Sequence, residues 1–444
     1  MSRILFLLAI ACAPVFADQL QTRPPVLQLS LKQAVTIALS PEGATRVQLA
    51  QEALKQAQTQ QTQARAALLP DLEGKLSYQN EVFNLKTIGI QLPSIPGFVF
   101  PTITPSFGVF DVRATASQNV FDYPSILRYQ ASKKAVEAAK SDNDGTHDQV
   151  TDQVARAYLT AVHSEALRET AQANVELSEA LLRLARSQKE AGTGTGIEIT
   201  RAQVQLANDR QRLIAADSDV ETSHLKLLKV LGLKLENPVE LTDKLSYVPV
   251  SPLSPEEALA MARKNRAELR AQIEKESTAR LHYSAVKYER LPSLGAFGDY
   301  GTTGPGVNNA FPTRTVGVSV KFPVFDGGRR DARRQESASL YRQEKIRTTD
   351  LRDQIELDVR VALDNLRSAE AQVKAAQEGL ELSQNELAQA QRRYRAGVTN
   401  SIEVTDAQTR LDRARENHVT AVYLYNLAQI DLNTAMGTIQ SMIQ

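Results

Sequence analysis

The chain has one cysteine, Cys12, and no tryptophan in 444 residues, and aromatics make up only 5% of it. If Cys12 is lost on processing, disulfides and thiolate metal sites are excluded. An excess of either charge is also absent. Lys plus Arg number 52 against 51 Asp plus Glu, a formal net charge of +1, whereas a nucleic-acid binder carries a clear basic excess. Beyond the N-terminus no stretch approaches the roughly 18 uninterrupted apolar residues of a membrane-spanning helix. The five histidines, His147, His163, His224, His282 and His418, are scattered without metal-ligand pairing. Asp142, Asp144 and Asp148 surround His147, a grouping that reads as solvated surface charge. No serine elbow, paired catalytic histidine or zinc signature is present. Gly327-Gly328 lacks the Gly-Lys-Ser/Thr ending of a phosphate loop, and Gly192, Gly194 and Gly196 follow a helical segment where a dinucleotide fingerprint needs a strand. The expectation is a non-enzyme with no cofactor, no metal and no nucleic-acid partner.

What is present begins with an export signal. Arg3 precedes the apolar run Ile4 to Ala13, and Val15-Phe16-Ala17 offers a cleavage site before Asp18. Residues 1–17 are therefore expected to be removed after Ala17. The alternative is lipid attachment at Cys12, although Ala9 stands where a lipobox usually has Leu.

The rest of the chain repeats itself. AGTGTGIEITRAQVQL around Gly192 aligns without a gap with AGVTNSIEVTDAQTRL around Gly397, and Val120-Phe121-Asp122 matches Val324-Phe325-Asp326. Leu69-Pro70-Asp71-Leu72 echoes Leu291-Pro292-Ser293-Leu294, and Ser30 to Ala38 resembles Ser254 to Ala262. Two copies of one unit follow, residues 18–250 and 251–444. Each unit has a helical stretch (about 30–68 and 254–290), two alternating segments, a very long helix (about 125–190 and 328–396), a glycine turn and a shorter helix (198–231 and 403–436). The second long helix carries a narrow seam, Leu363, Leu366, Ala369, Val373, Ala376, Leu380, Ser383, Leu387, Ala390 and Tyr394, at spacings of three and four. That seam favours coiled-coil-like packing. Asp142-Asn143-Asp144-Gly145 sits badly in a helix and suggests a local break.

The alternating segments (about 71–82, 109–121, 293–301 and 315–325) place apolar residues on one face and polar ones on the other. Leu72, Gly74, Leu76 and Tyr78 alternate with Glu73, Lys75, Ser77 and Gln79; Val316, Val318, Val320 and Phe322 form another such row. At about ten residues each, they have the length of a tilted strand that crosses a bilayer. Two readings stand: a soluble hairpin domain beside a coiled coil, or strands whose apolar face meets lipid. In the second, four strands per chain cannot close a barrel, and an open edge cannot lie in hydrocarbon, so several protomers must contribute.

Leu291-Pro292-Ser293-Leu294, the run Val318 to Arg329 (VSVKFPVFDGGR), and Arg393-Tyr394-Arg395-Ala396-Gly397 leading into Glu403 to Ala407 resemble the TolC family of outer-membrane efflux channels, as does the duplicated order. The resemblance covers essentially the whole mature length. It implies a mainly α fold with a β-barrel portion, a homotrimer with a twelve-stranded barrel in outer-membrane lipid, and a long periplasmic helical tunnel. It implies partners too: a periplasmic adaptor (membrane fusion protein) and an inner-membrane pump or ABC exporter. The turns at Gly192 and Gly397 would then lie at the periplasmic tip. Glu403 and Asp406 occupy the positions of the family's entrance carboxylates, with Glu where the family often has Asp. Threefold repetition would favour cations. The plainer alternative is that both carboxylates start a helix at its positive end. Glu198 and Arg201, their first-repeat counterparts, are expected to serve packing or inter-helix pairing. Arg329, Arg330, Arg333 and Arg334 suit either anionic headgroups or a solvated helix start. The competing function is a periplasmic coiled-coil adaptor or scaffold that bridges membranes.

Overall fold

The computed structural model describes residues 26–89, 102–250 and 253–443; the signal segment, Ala17 and Cys12 lie outside them. Both repeats open on the same local device. The Ser30 amide donates to Gln33 Oε1 at 3.0 Å while the Gln33 amide donates to Ser30 Oγ at 3.3 Å. Ser254 and Glu257 make the same exchange, at 3.2 Å in each direction. Two orphan amides are satisfied reciprocally at each helix start.

From there the first repeat runs β1 (Leu27–Leu29), α1 (Leu31–Leu39), α2 (Thr45–Ala66), β2 (Asp71–Glu81), β3 (Phe107–Phe121), α3 (Tyr123–Glu190) and α4 (Gly196–Leu231). A short β4 (Val239–Leu241) follows. The second repeat comprises α5 (Pro255–Asn265), α6 (Ala267–Lys287), β5 (Ser293–Gly304), β6 (Phe311–Lys321), α7 (Arg329–Arg395), α8 (Ser401–Met436) and α9 (Ile439–Ile443). The fold is mainly helical with four long strands. The helices α3 and α7, 68 and 67 residues long, each extend about 100 Å.

Several details differ from the spacing argument. The predicted helix over 30–68 is broken between α1 and α2, because Pro41 has no amide to continue the ladder. The turn is so tight that a Cβ on Gly43 would sit 2.4 Å from the Ile37 carbonyl oxygen. Its counterpart breaks between α5 and α6 at Arg266, whose guanidinium bonds Glu268 Oε2 at 2.7 Å and reaches Asp358 Oδ2 at 3.4 Å. By contrast, α3 continues through Asp142–Gly145. Asp142 pairs with Lys275 at 2.9 Å, and buried Gly145 lets the start of α6 approach, with Ala267 Cβ 3.6 Å from where its own Cβ would be. Neighbouring helices satisfy what local propensity disfavours. The last strand ends at Lys321, earlier than the alternation suggests, since Pro323 cannot donate to a ladder.

The core sits in two related clusters near the middle of the long helices. Leu29, Val35, Val47, Val150, Val154, Leu227 and Leu231 form the first, and Ala258, Leu269, Ile355, Val359, Leu363 and Met436 the second. The parallel pair β1–β4, which the sequence analysis missed, ties the inter-repeat connector to the first cluster. Tyr158 Oη lies 2.9 Å from the Leu29 carbonyl and 2.8 Å from Asp243. Toward the far end, Leu387, Ala390 and Tyr394 of the predicted seam pack on Val404, Ala407 and Leu411 of α8.

Candidate functional site

The four long strands form one antiparallel sheet in the order β2-β3-β5-β6. The register puts Leu72, Ala116, Gly298 and Val316 in one row. Leu76 and Val112, Ala296 and Val318, and Leu294 and Val320 share that face; Arg314 interrupts it near the loop end. Most of its large side chains are exposed, Val316 at 86% and Leu72 at 77%. Leaving a side chain of this kind in water forgoes roughly 1.5–3 kcal/mol relative to burial. A soluble hairpin domain would have covered this face.

The opposite face is polar. Glu73, Thr115, Asp299 and Thr315 make one row, and Lys75 pairs with Arg113 in the next. Arg113 donates from Nε to Asp111 Oδ1 at 2.7 Å and from Nη1 to Asp299 Oδ1 at 3.0 Å. This charged network links the strands of the two repeats, and the sheet is amphipathic through its thickness. β2 and β6, 11 residues each, form its two edges.

At the other end of the long helices lie the two glycine turns. Gly192 (φ 78°) and Gly397 (φ 70°) adopt the left-handed conformation that favours glycine. The Thr193 amide donates to the Gln188 carbonyl at 2.9 Å, and at the equivalent place the Val398 amide donates to the Arg393 carbonyl at 3.0 Å. These bonds close each helix end. The Gln188 side chain donates from Nε2 to the Tyr394 carbonyl at 3.3 Å, so the ends of α3 and α7 touch beside the two turns.

The expected entrance residues Glu403 and Asp406 and their first-repeat counterpart Glu198 are not equivalent. Glu198, expected to serve packing or inter-helix pairing, is a helix cap, accepting from the Thr195 amide at 2.8 Å. Glu403 accepts from the Thr399 hydroxyl and faces Arg393 Nη1 at 3.5 Å. Asp406, one turn further along α8, is exposed, and its side chain makes no ion pair or hydrogen bond among the described residues.

About three turns above the tip, a buried polar layer escaped the sequence analysis. Asp209 of α4 accepts from the Ser178 hydroxyl and from Gln205 Nε2 at 3.1 Å. Gln408 Nε2 donates to Ser178 Oγ at 2.6 Å. Asp412 is only 2% exposed and neither carboxylate oxygen has a hydrogen-bond partner. Burial, then the neighbouring charge of Asp209, pushes its pKa up to about 6. The available signal was an aspartate next to Leu411, four residues after Gln408, within a mostly apolar helix seam.

Among the described residues no group of three or more His, Cys, Asp or Glu could hold a metal ion, and no helix is long and apolar enough to cross a membrane.

Comparison with known proteins agrees with this architecture. The outer membrane efflux protein family matches residues 42–233 and 258–438. The outer membrane efflux protein BepC of Brucella suis is 24% identical over 294 residues, 64% of this chain and 62% of BepC; the match thus spans just under two thirds of that relative. The outer membrane protein TolC of Vibrio cholerae is 22% identical over 330 residues, 73% of this chain and 75% of TolC. The crystal structure of the outer membrane protein VceC of Vibrio cholerae superposes with a TM-score of 0.78 at 16% identity, covering 92% of this chain and 96% of VceC. With the family model matching residues 42–233 and 258–438, well over half of its length, the chain belongs to the outer membrane efflux protein family.

Proposed function

We propose that three copies of this chain assemble into a passive duct through the outer membrane, the exit component of a tripartite efflux pump or a type I secretion system. The carrying observation is the four-stranded sheet with an exposed apolar face, a charged opposite face and two open edges of equal length. An even number of antiparallel strands leaves β2 and β6 running in opposite directions. The β6 of one copy can therefore pair antiparallel with β2 of the next, and three sheets close into a twelve-stranded barrel with no free edge. Strands of 11 residues extend about 37 Å, and tilted near 45° they cover the ~25 Å apolar band of such barrels.

The long helices then form the periplasmic tunnel, with residues 18–250 and 251–444 as repeats and the Gly192 and Gly397 turns at its tip. The duct performs no covalent chemistry. A periplasmic adaptor and an inner-membrane pump or ABC exporter supply the energy, and the tip helices splay to open it. At the entrance, exposed and unpaired Asp406 supports a carboxylate ring, with Glu403 behind it held by Arg393 and Thr399. Extraction tests this reading: the mature protein should need detergent and run as a trimer after cross-linking. A product released by urea washing, monomeric without detergent, contradicts it.

A further inference from the structure

Four arginines follow the last strand, and the structure separates them. Gly327 and Gly328, at φ 67° and 87°, swing the chain from the sheet into α7. Arg330 is locked there: its Nε bonds Asp326 Oδ2 at 2.7 Å and its Nη1 the Pro323 carbonyl at 3.3 Å. Arg333 faces Glu289 at 2.8 Å, and Glu289 also holds Arg128 at 2.6 Å. Arg290 takes Asp331 at 2.6 Å. The nearby carboxylates Asp326, Glu289 and Asp331 are thus already occupied. Arg329, Arg334 and Lys321 are exposed and have no side-chain partner among the described residues.

Beside these free cations exposed apolar residues continue past the end of the strand. Val316, Val318 and Val320 are followed at the same parity by Phe322 and Val324. Val324 is 93% exposed and the adjacent Phe325 88%. The first repeat lacks this arrangement. Its equivalent Val120-Phe121-Asp122 leads to Ser125 and Gln130 where the second repeat has Arg329 and Arg334.

We infer that Arg329 and Arg334, with Phe322, Val324 and Phe325, form a docking surface for anionic phospholipid at the helix-side rim of the barrel. The apolar side chains meet the acyl chains, and the two unpaired guanidiniums, five residues apart on α7, each offer planar donors to headgroup phosphates at the rim. Charge complementarity selects an anionic headgroup: the site holds an excess of cations whose local counter-ions are spent. Membrane insertion under the proposed function is a premise of this inference.

The test uses the purified full-length protein in neutral detergent, mixed with phosphatidylglycerol and phosphatidylcholine of identical acyl chains and examined by native mass spectrometry. The expected result is preferential retention of phosphatidylglycerol, by roughly fivefold for each arginine. The preference should vanish in R329Q/R334Q and persist in R395Q, which alters an exposed arginine at the far tip. Equal retention of the two lipids by the unaltered protein overturns the inference, as does an undiminished preference in the double variant. If the double variant loses its assembly while the remaining oligomer still prefers phosphatidylglycerol, the arginines belong to a subunit seam and the inference fails. A protein that stays soluble and monomeric without detergent fails the channel reading itself; a membrane-inserted one indifferent to headgroup fails only this step.

Discussion

Gln408 of α8 and Ser178 of α3 meet in the interior, with Nε2 2.6 Å from Oγ. The contact joins the second repeat to the first close to the tip. Ser178 in turn donates to Asp209, so one amide organises three helices. Replacing Gln408 by Ala leaves buried polar groups short of a partner, at a cost of about 1–3 kcal/mol. Hydrogen exchange should show faster opening confined to the tip segments of α3, α4 and α8, with the sheet unaffected.

Asp412 makes this region sensitive to pH. Its carboxyl ionises near 6 in the folded chain, against 3.8 ordinarily, so the folded state holds the proton more tightly than the unfolded one. The associated stability is fully present below about pH 4, falls as pH rises toward 6, and is flat above that. On α4, Asp209 adds to the upward shift and Arg212 opposes it; on α8, Glu416 adds and Arg415 opposes. From α3 the layer receives the neutral groups Ser178 and Asn174. Asp412→Asn should abolish the slope between pH 4 and 6 and stabilise the protein at pH 7 by about 1–3 kcal/mol. Thermal unfolding across that range checks both.

The two faces of β6 should respond oppositely to charge. Val318→Lys places an ammonium on the apolar face and should cost about 2–4 kcal/mol in lipid, reducing the oligomer recovered from membranes. Ser319→Lys, on the polar face, should leave recovery nearly unchanged. Equal losses from the two variants would count against the assignment of faces.

Glu403 and Asp406 should differ at the entrance. Asp406 is unpaired, whereas Glu403 is already compensated by Arg393. Asp406→Ala should lower the cation-to-anion permeability ratio at least about twofold, and Glu403→Ala less. Arg393→Ala should raise the ratio by freeing Glu403. Reversal potentials under a salt gradient read all three.

Much of the architecture was legible because period and repetition survive in single residues. Alternation of Leu72, Leu76 and Tyr78 with polar neighbours marked a strand, and the paired Gly192 and Gly397 marked helix ends. What escaped depends on contacts between distant segments. Asp142–Gly145 looks like a helix breaker until Lys275 and the start of α6 are set against it. The parallel β1–β4 pair joins residues more than two hundred positions apart with three residues on each side, too short to leave a periodic signal. Asp209 and Asp412 stand on different helices, and neither is unusual alone. Glu403 fitted both the ring and the helix-start readings, and its bonds to Thr399 and Arg393 arise from the turn.

Under the proposed function, the amphipathic sheets of several copies close around water within a bilayer. Planar-bilayer recording of the purified mature protein tests it most directly. Discrete, long-lived conductance steps are expected, which Asp406→Ala makes less cation-selective. A protein that binds the membrane yet passes no current, even with the tip helices loosened by Gln408→Ala, would contradict it.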